Sequence, residues 1–155
     1  MSSNPTQSPA ALLNIGDHVR FSKTISESDV YLFAGITGDL APVHVNQAYM
    51  QDSFYGQRIA HGVLLMGFMS TTSSMMVARL PSEGKTAVPV SLGYDRVRFL
   101  KAALIGDTVT VDYRIIATDE SRARTTAEIS VRNQHGDTIA VAQHILKWVS
   151  NDRTD

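Results

Sequence analysis

The sequence predicts an α+β domain in which one long central helix packs against a curved antiparallel β-sheet. Two observations support this prediction. The run from Gly62 to Ala78 contains no charged side chain, so a helix there needs burial on every side. From Val88 onward the pattern changes to apolar and polar residues in alternation, in about four segments joined by short turns. Short turns favour antiparallel pairing, and a sheet curved around the helix would bury it.

The first half of the chain divides into short segments before the long helix. In chain order these are a strand over 15–25, a helix from Ser26, a loop over 37–43, a short helix after Asn46, an irregular stretch over 53–60 and the long helix over 61–80. Ser26 and Asp29 form an approximate capping box, and that helix is expected to fail at Gly35 or soon after. Gly38 and Pro42 interrupt regular structure and define the loop.

The second half is predicted to be strands. They cover 88–100, 108–118, the stretch marked by Ala127, Ile129 and Val131, and 138–149. The alternation of the first of these shifts near Gly93, which predicts a β-bulge. The turn before it contains Pro81, Ser82 and Gly84, and a hairpin connection with Gly136 precedes the last strand.

Length and composition indicate an ordinary globular protein. The 155 residues predict one domain over 11–150, with a flexible N-terminal tail over 1–10 and a C-terminal tail over 151–155. The net charge is −1 with both signs intermixed, so we expect no nucleic-acid partner. There is no cysteine, which excludes disulfides and cysteine nucleophiles and fits a cytoplasmic location.

The charge-free run needs to be distinguished from a membrane span. It is shorter than the roughly 20 residues that a span requires, and it contains the polar block Ser70 to Ser74. Arg79 and Pro81 then end it. We therefore predict a buried helix and no membrane partner. The first ten residues have no positive charge or apolar core, so they are not expected to be a secretory signal.

Asp39 and His44 are the first candidates for chemistry. They lie five positions apart with Pro42 between them. A carboxylate only accepts hydrogen bonds, whereas a neutral imidazole has one donor and one acceptor, so the pair can hold a water molecule between them. Histidine exchanges protons near neutral pH. The alternative is structural, because Gly-Asp is common in turns and a single histidine is usually a packing residue.

The second candidate is the start of the long helix at His61-Gly62. The first amides of a helix lack intrahelical partners and carry the positive end of its dipole, so they can stabilise an oxyanion. We predict His61, Gly62 and Val63 as oxyanion- or substrate-binding residues. Alternatively, His61 only enters the helix and Gly62 only permits close packing. The five histidines lack metal-binding spacing, so no metal is predicted.

The sequence Gly38-Asp39-Leu40-Ala41-Pro42-Val43-His44, followed by Arg58-Ile59-Ala60-His61-Gly62, resembles the MaoC-like (R)-specific enoyl-CoA hydratases. That family has the pattern G-D-x-N-P-x-H and the hot-dog fold, a long helix wrapped by a curved antiparallel sheet. The resemblance continues through Val97 to Asp107 and covers most of residues 15–148. It departs from the family at Ala41, where the family has asparagine.

The resemblance implies a hydro-lyase that reversibly adds water to a trans-2-enoyl-CoA. Asp39 and His44 would activate the water, and Gly62 would supply the oxyanion amide. It implies no cofactor, since the CoA thioester is the substrate, and a homodimer or higher homo-oligomer. Two other functions stay open at this point. One is a hot-dog acyl-CoA thioesterase, and the other is a non-catalytic acyl-CoA-binding module.

Overall fold

The computed structural model describes residues 13–81 and 87–151. The predicted tail over 1–10, the turn residues Ser82 and Gly84, and the last four residues of the predicted C-terminal tail lie outside these ranges. The elements are β1 (His18–Thr24), α1 (Glu27–Thr37), α2 (Pro42–Val45), α3 (Gln47–Met50), α4 (Gly62–Val77), β2 (Ala87–Phe99), β3 (Thr108–Asp119), β4 (Arg124–Arg132) and β5 (Thr138–Ser150).

The five strands form one antiparallel sheet in the order β1-β3-β4-β5-β2. The antiparallel pairing agrees with the prediction. The order was not predicted, because β2 does not pair with β3, the next strand in the chain. It pairs with β5 at the edge of the sheet. A shift in register between Ser91 and Gly93 confirms the predicted bulge, and a second shift follows between Asp95 and Arg98.

Local sequence accounts for the ends of the first helices. Ser26 caps α1, and its side chain and that of Asp29 form the predicted capping box. The helix continues past Gly35 to Thr37 and ends at Gly38, whose φ of 80° suits glycine. The predicted loop over 37–43 is therefore shorter than expected. Pro42 was predicted to interrupt regular structure, but it is the first residue of α2.

Helix α4 begins one residue after its predicted start and buries one side against the sheet. Its buried residues are Leu65, Phe68, Met69, Thr72, Ser73 and Met76. The expectation of burial on every side is wrong for the single chain, since Val63 is 56% exposed and Met75 is 37% exposed. The sheet has only one concave face, and that face covers only one side of the helix. Among the described residues, no helix is long and apolar enough to cross a membrane.

The start of α4 packs closely against the end of β2. A Cβ atom added to Gly62 would lie 3.0 Å from two atoms of the Phe99 ring and 3.1 Å from a third. Such distances are shorter than nine in ten real Cβ contacts, so the ring would have to move by a few tenths of an ångström. By contrast, nothing lies within 4 Å of a Cβ added to Gly67, on the same helix. The structure thus gives Gly62 a packing role.

The sheet encloses one buried histidine. His144 on β5 is fully buried, and its Nδ1 lies 2.9 Å from the Tyr113 hydroxyl. Its Nε2 lies 2.9 Å from the hydroxyl of Ser91. Burial disfavours the charged imidazolium and lowers the pKa of His144 to about 4. The ring is therefore neutral at physiological pH.

We expect His144 to make the fold less stable as the pH falls. In the unfolded chain histidine takes up a proton near pH 6.5, whereas folded His144 stays neutral down to a pH of about 4. Protons then bind preferentially to the unfolded state, and about 3 kcal/mol of stability is lost between these two values. Denaturant titrations of the wild type, His144→Gln and His135→Gln at a series of pH values measure this loss. His135 is exposed and serves as the control. Parallel curves for the wild type and His144→Gln would contradict the assignment.

We also expect different effects from alanine at the two glycines of α4. Gly62→Ala should cost about 1–3 kcal/mol through overpacking against Phe99. Gly67→Ala should be neutral or gain up to about 1 kcal/mol, because alanine favours a helix and the space is open. The comparison is made by urea unfolding, and repeated in a Phe99→Ala background, where the cost at Gly62 should largely disappear. Equal effects at both glycines in the wild-type background would rule out the packing role.

Candidate active site

The segment that follows α1 places Asp39 at the protein surface. The backbone N–H of Asp39 donates to the Thr37 hydroxyl at 3.3 Å. Its carboxylate oxygen Oδ1 accepts from the Ala41 N–H, also at 3.3 Å. The carboxylate is exposed, and a main-chain donor two residues ahead holds it. Asparagine and aspartate commonly form this kind of turn before a helix such as α2.

His44 lies within α2, one turn after Ala41, and is half-buried. Its Nδ1 is 2.8 Å from the backbone carbonyl oxygen of Ile59. A carbonyl oxygen can only accept a hydrogen bond, so Nδ1 of the neutral ring carries the proton. The second nitrogen, Nε2, is then unprotonated. It has the lone pair that a general base requires.

His61 immediately precedes α4 and is buried, with 2% of its surface exposed. Its Nε2 lies 3.0 Å from the carbonyl oxygen of Asp39, so by the same argument Nε2 carries the proton. The other nitrogen, Nδ1, is buried and has no hydrogen-bond partner among the described residues. The Phe33 ring packs against the His61 imidazole, with 4.8 Å between ring centroids.

These contacts bring three of the predicted residues together. The rings of His44 and His61 stack with centroids 3.7 Å apart and an angle of 27°. One carboxylate oxygen of Asp39 and one nitrogen of each histidine all lie within 4.8 Å of one another. Groups this close can hydrogen-bond to a single water molecule, because each bond spans roughly 2.7–3.2 Å. Sequence reasoning placed His61 with the oxyanion group, whereas the structure places it beside Asp39 and His44.

The same three side chains are the residues that could hold a metal ion, since two imidazoles and a carboxylate are common ligands. The hydrogen bonds limit this possibility. The unprotonated nitrogens are Nε2 of His44 and Nδ1 of His61. Coordination through Nε2 of His61 would break its hydrogen bond to Asp39. The absence of a metal stays a prediction.

A cavity of about 290 Å³ adjoins the start of α4. It is lined by His44, Tyr55, Ile59, Ala60, Gly62, Leu65, Phe99, Leu100, Lys101, Ala102 and Ala103. The first backbone bond at this end of the helix runs from the Leu64 N–H to the His61 carbonyl, at 3.1 Å. The amides of Gly62 and Val63 precede it, so they lie in the part of a helix that lacks intrahelical acceptors. Val63 itself is exposed and does not line the cavity.

Several supporting residues were not predicted. Arg58 donates to the Tyr31 hydroxyl at 2.7 Å and also pairs with Glu27, so it ties the segment before His61 to α1. The hydrogen bond with Glu27 raises the pKa of Arg58. Lys101 lines the cavity and pairs with Asp137 at 2.5 Å. The Ile59 carbonyl was missed because every residue carries a carbonyl, so residue type does not indicate which one orients a histidine.

Known proteins of one family are similar to this chain in sequence. The family model described as "MaoC like domain" matches residues 11–138. An (R)-specific enoyl-CoA hydratase from Rhodospirillum rubrum is 45% identical over 95 residues, which are 61% of this chain and 60% of that protein. A 3-hydroxybutyryl-CoA dehydratase from Methylorubrum extorquens is 32% identical over 124 residues, covering 79% of this chain and 74% of that protein.

A solved structure shows the same fold. The R-hydratase PhaJ1 from Pseudomonas aeruginosa superposes with a TM-score of 0.73 at 26% identity, covering 93% of this chain and 87% of that chain. This similarity confirms the predicted hot-dog fold. The activities in the three names are those of hydro-lyases, the predicted enzyme class. The match to the family model covers most of the chain, and the chain therefore belongs to the MaoC-like domain family.

Proposed function

We propose that this protein is an (R)-specific 2-enoyl-CoA hydratase, which also catalyses the reverse dehydration of a 3-hydroxyacyl-CoA. The observation that carries the proposal is the convergence of Asp39 and His44. Their polar atoms lie within 4.8 Å of each other, and the hydrogen bond to Ile59 leaves Nε2 of His44 unprotonated. The names of the two curated relatives support the reaction type.

In the proposed reaction, one water molecule is bound between the Asp39 carboxylate and Nε2 of His44. Nε2 accepts a proton as the water oxygen bonds to the β-carbon of the enoyl thioester. The electron pair of the double bond moves toward the thioester, and negative charge develops on its oxygen. The amide of Gly62 stabilises that oxygen, an effect worth about 2.7–4 kcal/mol for one donor in comparable sites. The proton then passes from the pair to the α-carbon, which completes the addition of water.

Asp39 has the orienting role in this scheme. Its carboxylate only accepts, so it fixes one hydrogen of the water while His44 receives the other. The family asparagine is replaced by Ala41, whose side chain cannot hydrogen-bond. The Ala41 N–H instead holds the carboxylate. The CoA thioester is the substrate, and the proposed chemistry calls for no cofactor.

We further propose that two copies of the chain associate, with residues 11–150 as the folded domain and the cytoplasm as the location. The exposed side of α4 supports association, since Val63 and Met75 there are apolar and uncovered in the single chain. A homodimer would bury them. The proposed partners are an acyl-CoA and a second copy, without nucleic acid or membrane.

We expect Asp39→Asn and His44→Asn each to lower the rate of crotonyl-CoA hydration by about 100- to 10,000-fold. Both substitutions keep local hydrogen bonds. In Asp39→Asn, the carboxamide keeps an oxygen that can accept from the Ala41 N–H. In His44→Asn, the carboxamide keeps an N–H that can donate to the Ile59 carbonyl, but the imidazole that acts as general base is lost. The rate is followed by the loss of enoyl absorbance, and the product configuration by chiral chromatography. Asp52→Asn and His135→Asn are the matched controls, since both side chains are exposed.

The same assay separates the other two functions. A thioesterase would release free CoA, which a thiol-reactive dye detects, whereas hydration releases no thiol. A binding module would leave the enoyl absorbance unchanged. Near-normal hydration by Asp39→Asn or His44→Asn, with folding intact by circular dichroism, would reject the roles proposed for these residues.

A further inference from the structure

The segment that leads into α4 carries the carbonyl group that orients His44. Residues 56–60 belong to no helix or strand and make one isolated bridge, between Ile59 and Leu104. The Ile59 carbonyl oxygen lies 2.8 Å from Nδ1 of His44, and the Ile59 N–H donates to the Val43 carbonyl at 3.1 Å. Since no strand ladder holds this segment, the contacts of the residues on either side of Ile59 determine where its carbonyl lies.

Arg58, the residue before Ile59, anchors the segment to α1. Its Nη1 donates to the Tyr31 hydroxyl at 2.7 Å, and its Nη2 pairs with the Glu27 carboxylate. The guanidinium carbon also lies 5.4 Å from the centre of the Tyr31 ring. Glu27 and Tyr31 are one turn apart on α1, so the guanidinium contacts a single face of that helix. Only 13% of the Arg58 side chain is exposed.

The main chain on both sides of Ile59 is held as well. The Arg58 N–H donates to the side-chain oxygen of Gln47, the first residue of α3, at 3.3 Å. After Ile59, the Ala60 N–H donates to the Ala103 carbonyl at 2.8 Å. Ile59 therefore lies between two anchored residues, and the side chain of Arg58 makes the charged contact.

We infer that Arg58, paired with Glu27, is a positioning residue for His44. It holds the Ile59 carbonyl where His44 donates to it from Nδ1, which leaves the lone pair on Nε2. The catalytic consequence rests on the proposed function, in which Nε2 accepts a proton from water. Arg58 is not among the described residues that line the cavity beside His44, so it acts through one main-chain carbonyl.

The tautomer of His44 links Arg58 to the reaction. A neutral imidazole carries its proton on one of two nitrogens, and a carbonyl stabilises only the form whose N–H faces it. A hydrogen bond weakens steeply as its angle falls. If the Ile59 carbonyl shifts, the proton can therefore move to Nε2, and the lone pair is then on the wrong nitrogen. A ring in that tautomer cannot be the base, and small misplacements of a catalytic group cost up to about 100-fold in rate.

The general effect of this ion pair on stability is expected to be small. Glu27 is 57% exposed, and ion pairs with exposed partners contribute little. The pair of Arg20 and Asp112 offers a matched comparison, with 3.0 Å between Nη2 and Oδ1. It joins β1 to β3, and neither residue lines the cavity beside His44.

The first test measures crotonyl-CoA hydration by Arg58→Met, Arg58→Lys and the control Arg20→Met. We expect Arg58→Met to lower kcat by about 10- to 100-fold and to change KM by less than about 2-fold, because the base is affected and substrate binding is not. Arg58→Lys keeps the charge but not the fork of donors, so its kcat should be intermediate. Arg20→Met should leave both constants unchanged. A raised KM with normal kcat in Arg58→Met, or an equal loss of kcat in Arg20→Met, would overturn the inference.

The second test reads the tautomer directly and does not depend on catalysis. Nitrogen NMR of protein containing isotope-labelled histidine distinguishes a protonated ring nitrogen from an unprotonated one, and the spectrum of His44→Asn identifies the His44 signals. At a pH of about 8.5, where an ordinary histidine is neutral, we expect the proton on Nδ1 in the wild type and in Arg20→Met. In Arg58→Met we expect a mixture that includes the form with the proton on Nε2.

The two tests separate the inference from the proposed function. If the wild type fails to hydrate crotonyl-CoA, the proposed function is overturned, and the NMR spectra still decide the inference. An unchanged His44 tautomer in Arg58→Met would overturn the inference whatever the activity. Circular dichroism checks folding. If Arg58→Met does not fold, Glu27→Gln takes its place, since the carboxamide still accepts from Arg58 but lacks the charge, and an unchanged tautomer in that variant would overturn the inference.

Discussion

The hydrogen bond from His61 to the Asp39 carbonyl holds the candidate site together. It joins the turn after α1 to the first residue before α4, two segments 22 positions apart in the chain. Without this bond, the exposed Asp39 would be held only by contacts within its own turn. The bond also fixes the orientation of the His61 ring, against which His44 stacks. A single, partly buried contact therefore positions both an acidic and a basic group relative to the helix amides.

The backbone determines which ring nitrogen carries the proton in each of the two stacked histidines. Each ring donates from one nitrogen to a carbonyl oxygen, at 2.8 Å for His44 and 3.0 Å for His61. Because carbonyls cannot donate, neither neutral ring can change tautomer without losing its bond. This arrangement presents a constant lone pair on His44. A neutral base that keeps a single tautomer suits a reaction in which a water molecule must lose its proton in one geometry.

The sequence predicted the helices and strands themselves better than it predicted which strands lie next to each other. The capping box of Ser26, the start of α4 and the bulge near Gly93 follow from residue types at local spacings. The place of β2 beside β5 could not be predicted, because alternation shows which side of a strand is buried and not which strand lies next to it. The helical turn at Pro42 was missed because proline interrupts a helix and also begins one.

The site was predicted to a similar extent. Asp39, His44 and Gly62 were chosen for their chemistry, whereas the Ile59 and Asp39 carbonyls that orient the histidines carry no signal in residue type. The Ser91–His144–Tyr113 array was not predicted either. Its members lie 53 and 31 positions apart, and the order and register of β2, β5 and β3 bring them together. Such long-range groupings depend on sheet topology, which local patterns do not contain.

The contrast between the two histidine sites follows from the groups that contact them. Carbonyl partners at the start of α4 hold His44 and His61 each in one tautomer, whereas hydroxyl partners beside its second half leave His144 able to adopt either. A hydroxyl both donates and accepts, so reversing the chain of bonds at His144 breaks none of them. One end of the helix is thus suited to a single proton transfer. At the other end, His144 can adopt either tautomer and keep its hydrogen bonds to Ser91 and Tyr113.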